Sequence, residues 1–407
     1  MEYRTFLESL GVTCFPELGE AVFAEAMKEY DTYGCRWASE EFLLSIDAEM
    51  RHYDPYREFI LNAAAGIRAN EALGRFTCLL AAVLGQAPKS ANAKTLEFPK
   101  TPEGADAAPY EMTGFFALLA QIPKTTKTLQ GWGVPQDIIV DTYENFLSCI
   151  TTFAGYAHRA GFDVTRLSWC THYIVPDILK IGRLNFEIRF FGGQCALFRS
   201  RSGKNRILMT DGRFHRSGQV LGSADCTDET GAFDADFRET DTFWEGVSPN
   251  AMGLVQKTRV RLDKAGWTKI LSEGDPVLSV HIPSGSPLSH DAVLDSYRRA
   301  AELMKNCRPD HKLRALVCVS WLMEPMVGKL MEGRGNIAAF QRDFIPYPVV
   351  SRGRAVYTFL FHMPDATPAE VPADTTLRRR IRDRMLDGKY IYELGGILQP
   401  KVSGILP

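Results

Sequence analysis

His281 is the residue whose type and place suggest chemistry most directly in this 407-residue sequence. It stands near the end of an apolar run, 276–283, and an imidazole titrates near neutrality, so it could take a proton from an incoming nucleophile. A strand histidine can equally be a hydrogen-bonded core residue, and position alone leaves both readings open. Cys318 and Ser320 share one facing on a second apolar run, 313–321, and Glu324 follows just past its end. With His281 they could be drawn as a Cys/His/Glu nucleophilic set, although Val317 and Val319 flank Cys318 and apolar surroundings make a thiol inert. Between the two runs lies a Gly/Ser/Pro turn, 284–288, and then a helix opened by Ser289. The main-chain amides of Gly285, Ser286, Ser289 and His290 are placed to meet an anion, because a helix N-terminus carries orphan N–H groups and a positive dipole end. A plain helix cap would use the same residues.

The elements that must hold these residues follow from the pattern. Residues 276–283 read as a strand and 313–321 as a second strand, nearly continuous in apolar residues after Arg314, as burial on both faces requires. About thirty residues holding one helix separate them, the length of a parallel crossover. That helix has Val293, Tyr297, Ala300 or Ala301 and Met304 on one face, while Arg298, Arg299, Glu302 and Lys305 lie largely away from it. A short helix begun by Asn336 comes next.

Upstream, residues 1–84 show helical spacing in Phe23, Met27 and Tyr30, in Phe42, Ile46 and Met50, and in Phe59, Ala63 and Ile67. The proline-bearing stretch 86–109 reads as an extended, mobile loop, either a linker or a lid. Helices resume over 110–128, 136–160 and 166–186, the last kinked by Pro176. The period then becomes strand-like over 186–198, 205–210, 253–262 and 276–282, with short turns that imply an antiparallel meander and with 223–239 as an acidic surface loop. Downstream, 345–351 and 355–363 read as a hairpin around Arg352-Gly353, and a last helix, 375–386, is closed by Gly388 and carries a basic face.

Composition narrows the class. The chain is 45% hydrophobic and 24% charged with a formal net charge of −2, so it can bury a sizeable core and shows no charge excess that would seek nucleic acid or a membrane surface. Nine cysteines are scattered without a Cys-x-x-Cys or a Cys/His cluster, which implies reduced thiols and no metal. No basic leader followed by an apolar stretch opens the sequence, and no apolar run approaches the ~20 residues of a membrane helix. These features together imply a cytoplasmic protein.

Helices, antiparallel strands, a strand-turn-helix-strand crossover, a short Asn-led helix and closing strands form an α+β order that resembles the GNAT acyltransferase fold. The likeness is closer in particular runs. Val277 to Pro283, Pro287-Leu-Ser289, Val317 to Leu322 with Pro325, Asn336-Ile337 with Phe340 and Phe344, Gly182 to Phe186, and Ile122-Pro123 with Gly133-Val-Pro135 are similar to a bacterial acyltransferase-domain family. Its members join a helical N-acyltransferase N-terminal domain to a GNAT-like C-terminal domain. The resemblance implies a helical domain over 1–130, with 86–109 as its loop or linker, and a GNAT-like mixed-sheet domain over 131–407. It also implies acyl-CoA as substrate, with its pyrophosphate near Ile282, Ser284, Gly285, Ser286, Ser289 and His290 and with Asn336 nearby. Two features depart from the family's pattern. The usual phosphate turn, Gln/Arg-x-x-Gly-x-Gly/Ala, keeps only Gly285, and Asp343 stands where a general-acid tyrosine is common.

Three functions follow as expectations. The first is an acyltransferase passing the acyl group of acyl-CoA to an amine, either a small molecule or a protein N-terminus or lysine, with His281 or Glu324 as base. The second is a GNAT-shaped binding module without catalysis. The third is a cysteine-dependent acyl transferase or hydrolase built on Cys318.

Overall fold

Apolar residues at helical spacing build the first part of the chain in the computed structural model, which describes residues 2–399. The helices are α1 (Tyr3–Ser9), α2 (Leu18–Tyr33), α3 (Glu40–Ser45), α4 (Arg57–Ala69), α5 (Glu71–Gln86), α6 (Ala108–Glu111), α7 (Thr113–Leu119), α8 (Ile122–Gly131), α9 (Gln136–Ala157) and α10 (Val164–Ile174). Side chains cap some of them: Asn70 Oδ1 takes the Leu73 N–H at 3.2 Å to start α5. α5 is the hub, with Phe76, Leu79, Leu80, Val83 and Leu84 all buried.

Residues 86–109 are tied down rather than mobile. The Lys100 N–H donates to Leu10 O and the Glu97 N–H to Cys14 O, both at 2.9 Å, and the Glu97 carboxylate accepts from Thr13 twice. Phe98 stacks on Phe162 at 6.5 Å, and Gly114 makes the room, since a Cβ there would lie 2.2 Å from the Phe98 ring. Pro88 opens a 3-10 turn and Pro109 lies in the first turn of α6, so the prolines that resemble a linker in sequence punctuate a strap held by main-chain bonds.

The first compact unit runs to Lys180. α8, α9 and α10 hold one another: Thr125 Oγ1 donates to Ile174 O at 2.8 Å, and Tyr173 sits edge-on to Phe146 at 5.9 Å. The helix expected through 186 stops at Ile174, so Pro176 ends it rather than kinking it. Residues beyond form strands β1 (Ile178–Ile181) and β2 (Leu184–Phe190), which turn about Gly182 at φ +62°. A side chain there would strike Ser296 Oγ, the group that takes the Arg183 N–H at 2.8 Å.

The second unit begins at Ile181. Antiparallel strands come first, β3 (Cys195–Ser200), β4 (Asn205–Met209), β5 (Arg213–Phe214), β6 (Phe233–Asp234), β7 (Arg238–Glu239), β8 (Phe243–Pro249), β9 (Val255–Asp263) and β10 (Trp267–Leu271), and in place of one expected meander they make three small sheets, β10-β3-β4, β5-β6 and β7-β8-β9, called the meander strands below. β6 and β7 lie in the stretch read as a surface loop. The chain then enters β11 (Pro276–His281), α11 (His290–Cys307), β12 (Ala315–Ser320), α12 (Pro325–Leu330), α13 (Gly335–Arg342), β13 (Phe344–Pro348), α14 (Thr376–Leu386) and β14 (Leu394–Leu398).

The main sheet has the order β1-β2-β11-β12-β14-β13. β11 and β12 are parallel, as the crossover demands, while β14 enters antiparallel between β12 and β13. One face, carrying Val277, Ala315, Val317, Tyr347 and Ile397, packs with Leu197, Ile207 and Met209 of the meander. Tyr297 of α11 sits edge-on to Phe344 at 6.1 Å on the other face.

The expected hairpin around Arg352-Gly353 does not form. Residues Tyr357–Phe361 are a π-helical turn, and the partner of β13 is β14. The sequence Leu394-Gly-Gly-Ile-Leu398 has little strand propensity, yet its glycines are required by packing. A Cβ at Gly395 would lie 2.1 Å from Tyr347 Cζ, and one at Gly396 would lie 2.5 Å from Met323 Cε. The last helix forms as expected, capped by Thr375 and followed by Gly388 at φ +72°. Its basic face is partly neutralised within the chain, with Arg378 on Asp374 at 3.0 Å and Arg380 on Glu332 at 2.9 Å.

Candidate active site

The two parallel strands part company. β11 and β12 are in register only over Val277 to Ser279 and Ala315 to Val317. Past that point β11 stays with β2 as far as His281, opposite Asn185, and β12 stays with β14 as far as Ser320, opposite Leu394. A gap therefore opens between two central strands, an arrangement a continuous ladder would forbid. Val319 reports it: a valine in the middle of a sheet is 48% exposed.

His281 stands on the other lip of the gap. Side chains alternate along a strand, so Val277, Ser279 and His281 share the face of the meander, as do Ala315, Val317 and Val319. His281 Nε2 lies 3.0 Å from Glu187 Oε2, and the ring N–H donates to the carboxylate. Glu187 pairs with Ser279 across the β2–β11 ladder, so it is the diagonal neighbour of His281 on the same face. Arg189 lies 3.5 Å from the same carboxylate oxygen. Sequence reasoning missed Glu187, because its partner is 94 positions away and only the strand register brings them together.

Beyond His281 the chain passes Ile282 and enters the turn. Ser284, Gly285, Ser286 and Pro287 are exposed, and Gly285 takes φ +109°. Ser289 precedes α11 in extended conformation but makes no side-chain capping bond, so it leaves the first-turn amides to another acceptor. His290, the first residue of α11, sets Nε2 at 3.0 and 3.1 Å from the two carboxylate oxygens of Asp343. Burial raises the Asp343 carboxyl, and His290 opposes that shift. Asp343 thus anchors the imidazole at the head of the crossover helix. Asn336 lies exposed in the first turn of α13.

The remaining candidates are not gathered around His281. Cys318 is wholly buried on the opposite face of β12, and burial pushes its thiol up to about 12. The Ser320 hydroxyl accepts from the Leu322 N–H at 3.1 Å and so serves the turn. Glu324, 6% exposed, accepts from the Tyr392 N–H at 2.6 Å and lies 4.0 Å from Arg384. Burial outweighs both and pushes its carboxyl up to about 7 from 4.5. A carboxyl raised in this way is held protonated by the fold, so its contribution is complete below about pH 4.5 and is lost as pH rises through about 7. Glu324→Gln should therefore flatten a fall in stability of about 3 kcal/mol between those limits, read from denaturant midpoints. An equal slope in both proteins would refute the assignment.

Among the described residues no group of His, Cys, Asp and Glu is placed to hold a metal ion, and no helix is long and apolar enough to cross a membrane.

Residues 178–398, from β1 to the end of β14, match the sequence model of the family described as GNAT-like C-terminal domain. The chain belongs to this family. Solved structures agree with that fold. An acyltransferase in complex with decanoyl-CoA and teicoplanin superposes with a TM-score of 0.62 at 16% identity, over 98% of this chain and 99% of that one. An acyltransferase mutant in complex with octanoyl-CoA gives 0.61 at 15% identity over the same shares. An acyltransferase in complex with decanoyl-CoA gives 0.55 at 16%, over 85% of this chain and 83% of the other. At such identities the likeness is one of fold, and it extends through the helical first unit as well as the GNAT-like domain. No curated protein matches the sequence.

Proposed function

We propose that this chain is an acyltransferase that moves an acyl group from acyl-CoA to an amine. The observation that carries the reading is the opening between β11 and β12, with His281 and Val319 on its two lips. The acyl-CoA complexes of the solved neighbours support it, because those proteins share the fold over nearly their whole length. An extended thioester arm lies in the gap, and its pyrophosphate meets the amides of Gly285, Ser286, Ser289 and His290. His281, steadied by Glu187, takes a proton from the acceptor's ammonium group. The freed nitrogen attacks the thioester carbonyl carbon, the C–S bond breaks, and CoA leaves as a thiolate that takes up the proton the new amide nitrogen sheds. Positioning and main-chain donors supply most of the acceleration, since an amine needs no enzyme-bound nucleophile.

Titration calorimetry with decanoyl-CoA tests the first half, and absence of binding would overturn the reading. Binding without acylation of any amine in a broad panel would favour a ligand-binding module instead. The buried Cys318 has no part in this scheme. Cys318→Ala should cost about 1 kcal/mol of stability and leave turnover per folded molecule unchanged; a dead but folded variant would restore the cysteine-dependent reading.

A further inference from the structure

A cavity of about 670 Å3 lies in the second unit, apart from the gap between β11 and β12. None of residues 276–290 or 315–321 lines it. One wall is the β3–β4 turn and the end of β8, and the other is α12 with α13. Met323, Phe344, Ile345 and Pro346 give it an apolar floor beside β13. Its volume is that of a site for a small organic ligand.

Its charge is one-sided. Arg206, Lys329 and Arg342 are the charged residues among those that line it, and no carboxylate accompanies them. Lys329 Nζ meets only Met252 Sδ, at 3.3 Å, and Arg342 reaches Gly333 O at 3.5 Å, among the polar contacts of the described residues. Arg206 makes no ion pair among those residues. Nearby Arg380, by contrast, has Glu332 at 2.9 Å. Arg342 also feels the neighbouring Asp343 carboxylate, which leaves Arg206 and Lys329 as the cations with no carboxylate partner among the described residues; two such cations beside one apolar floor favour an anion with an apolar body, because charge-assisted hydrogen bonds strengthen as water leaves. Asn205 and Gln341 add amide groups to the same walls.

We propose that this cavity is a second ligand site, which takes a small organic anion: a phosphate or carboxylate on an apolar body. The proposal stands independently of the acyltransfer reading. Calorimetry on the full chain, with and without CoA, should use phenyl phosphate, benzoate and neutral benzyl alcohol as probes. Saturable binding of one anion per chain near about 1 mM or tighter is expected in both states, with benzyl alcohol silent. The stronger of phenyl phosphate and benzoate identifies the anionic group. Arg206→Ala with Lys329→Ala should weaken binding about tenfold or more without changing CoA affinity, and both positions are exposed enough to leave folding intact. Failure to saturate, displacement by CoA, or unchanged affinity in the double variant would each overturn the proposal.

Discussion

His281→Ala is expected to lower kcat by about 10²- to 10⁴-fold, with acyl-CoA affinity nearly unchanged. The imidazole faces the side of the sheet opposite α11, away from the turn proposed for the pyrophosphate, so its loss should spare binding and remove proton acceptance. Glu187→Gln should give a smaller loss, since the amide oxygen can still take the Nε2–H while the charge is gone. The informative comparison is single-turnover acylation beside calorimetry of both variants. Full turnover in His281→Ala would move the base elsewhere, and Glu324 would be examined first. A joint loss of binding and turnover would mean that the histidine only supports the strand.

The second large effect concerns the fold. Gly395→Ala should destabilise the protein by about 3 kcal/mol, because its methyl would be driven into the Tyr347 ring, itself buried against the meander. For a domain of this size that lowers the melting temperature by about 6–12 °C. Tyr347→Leu in the same chain should recover part of the loss, as a smaller side chain frees the space. A melting temperature unmoved by Gly395→Ala would show that β14 does not lie against Tyr347, and the order of the sheet would need revision.

Legibility in the sequence followed the range of the interactions. The crossover read true because each signal is local: an apolar strand, a Gly/Ser/Pro turn, an amphipathic helix and a second apolar strand. β14 did not, because its glycines serve Tyr347 and Met323, residues 48 and 73 positions away, and look like loop when read alone. The end of the helix at Ile174 is hidden in the sequence because Leu179 and Phe186 fit both periods. The candidate site divided along the same line. His281 and the turn at Gly285 could be picked out by type and place, whereas Glu187 and the Asp343 anchor of His290 needed strand register and helix packing to appear.

The parted strands carry one further consequence. Each leaves an inner edge whose main-chain N–H and C=O groups face the gap in place of a ladder partner. An extended ligand bearing amides can complete those edges as a missing strand would, and it would be recognised by backbone. Recognition of that kind does not depend on which side chains flank the gap.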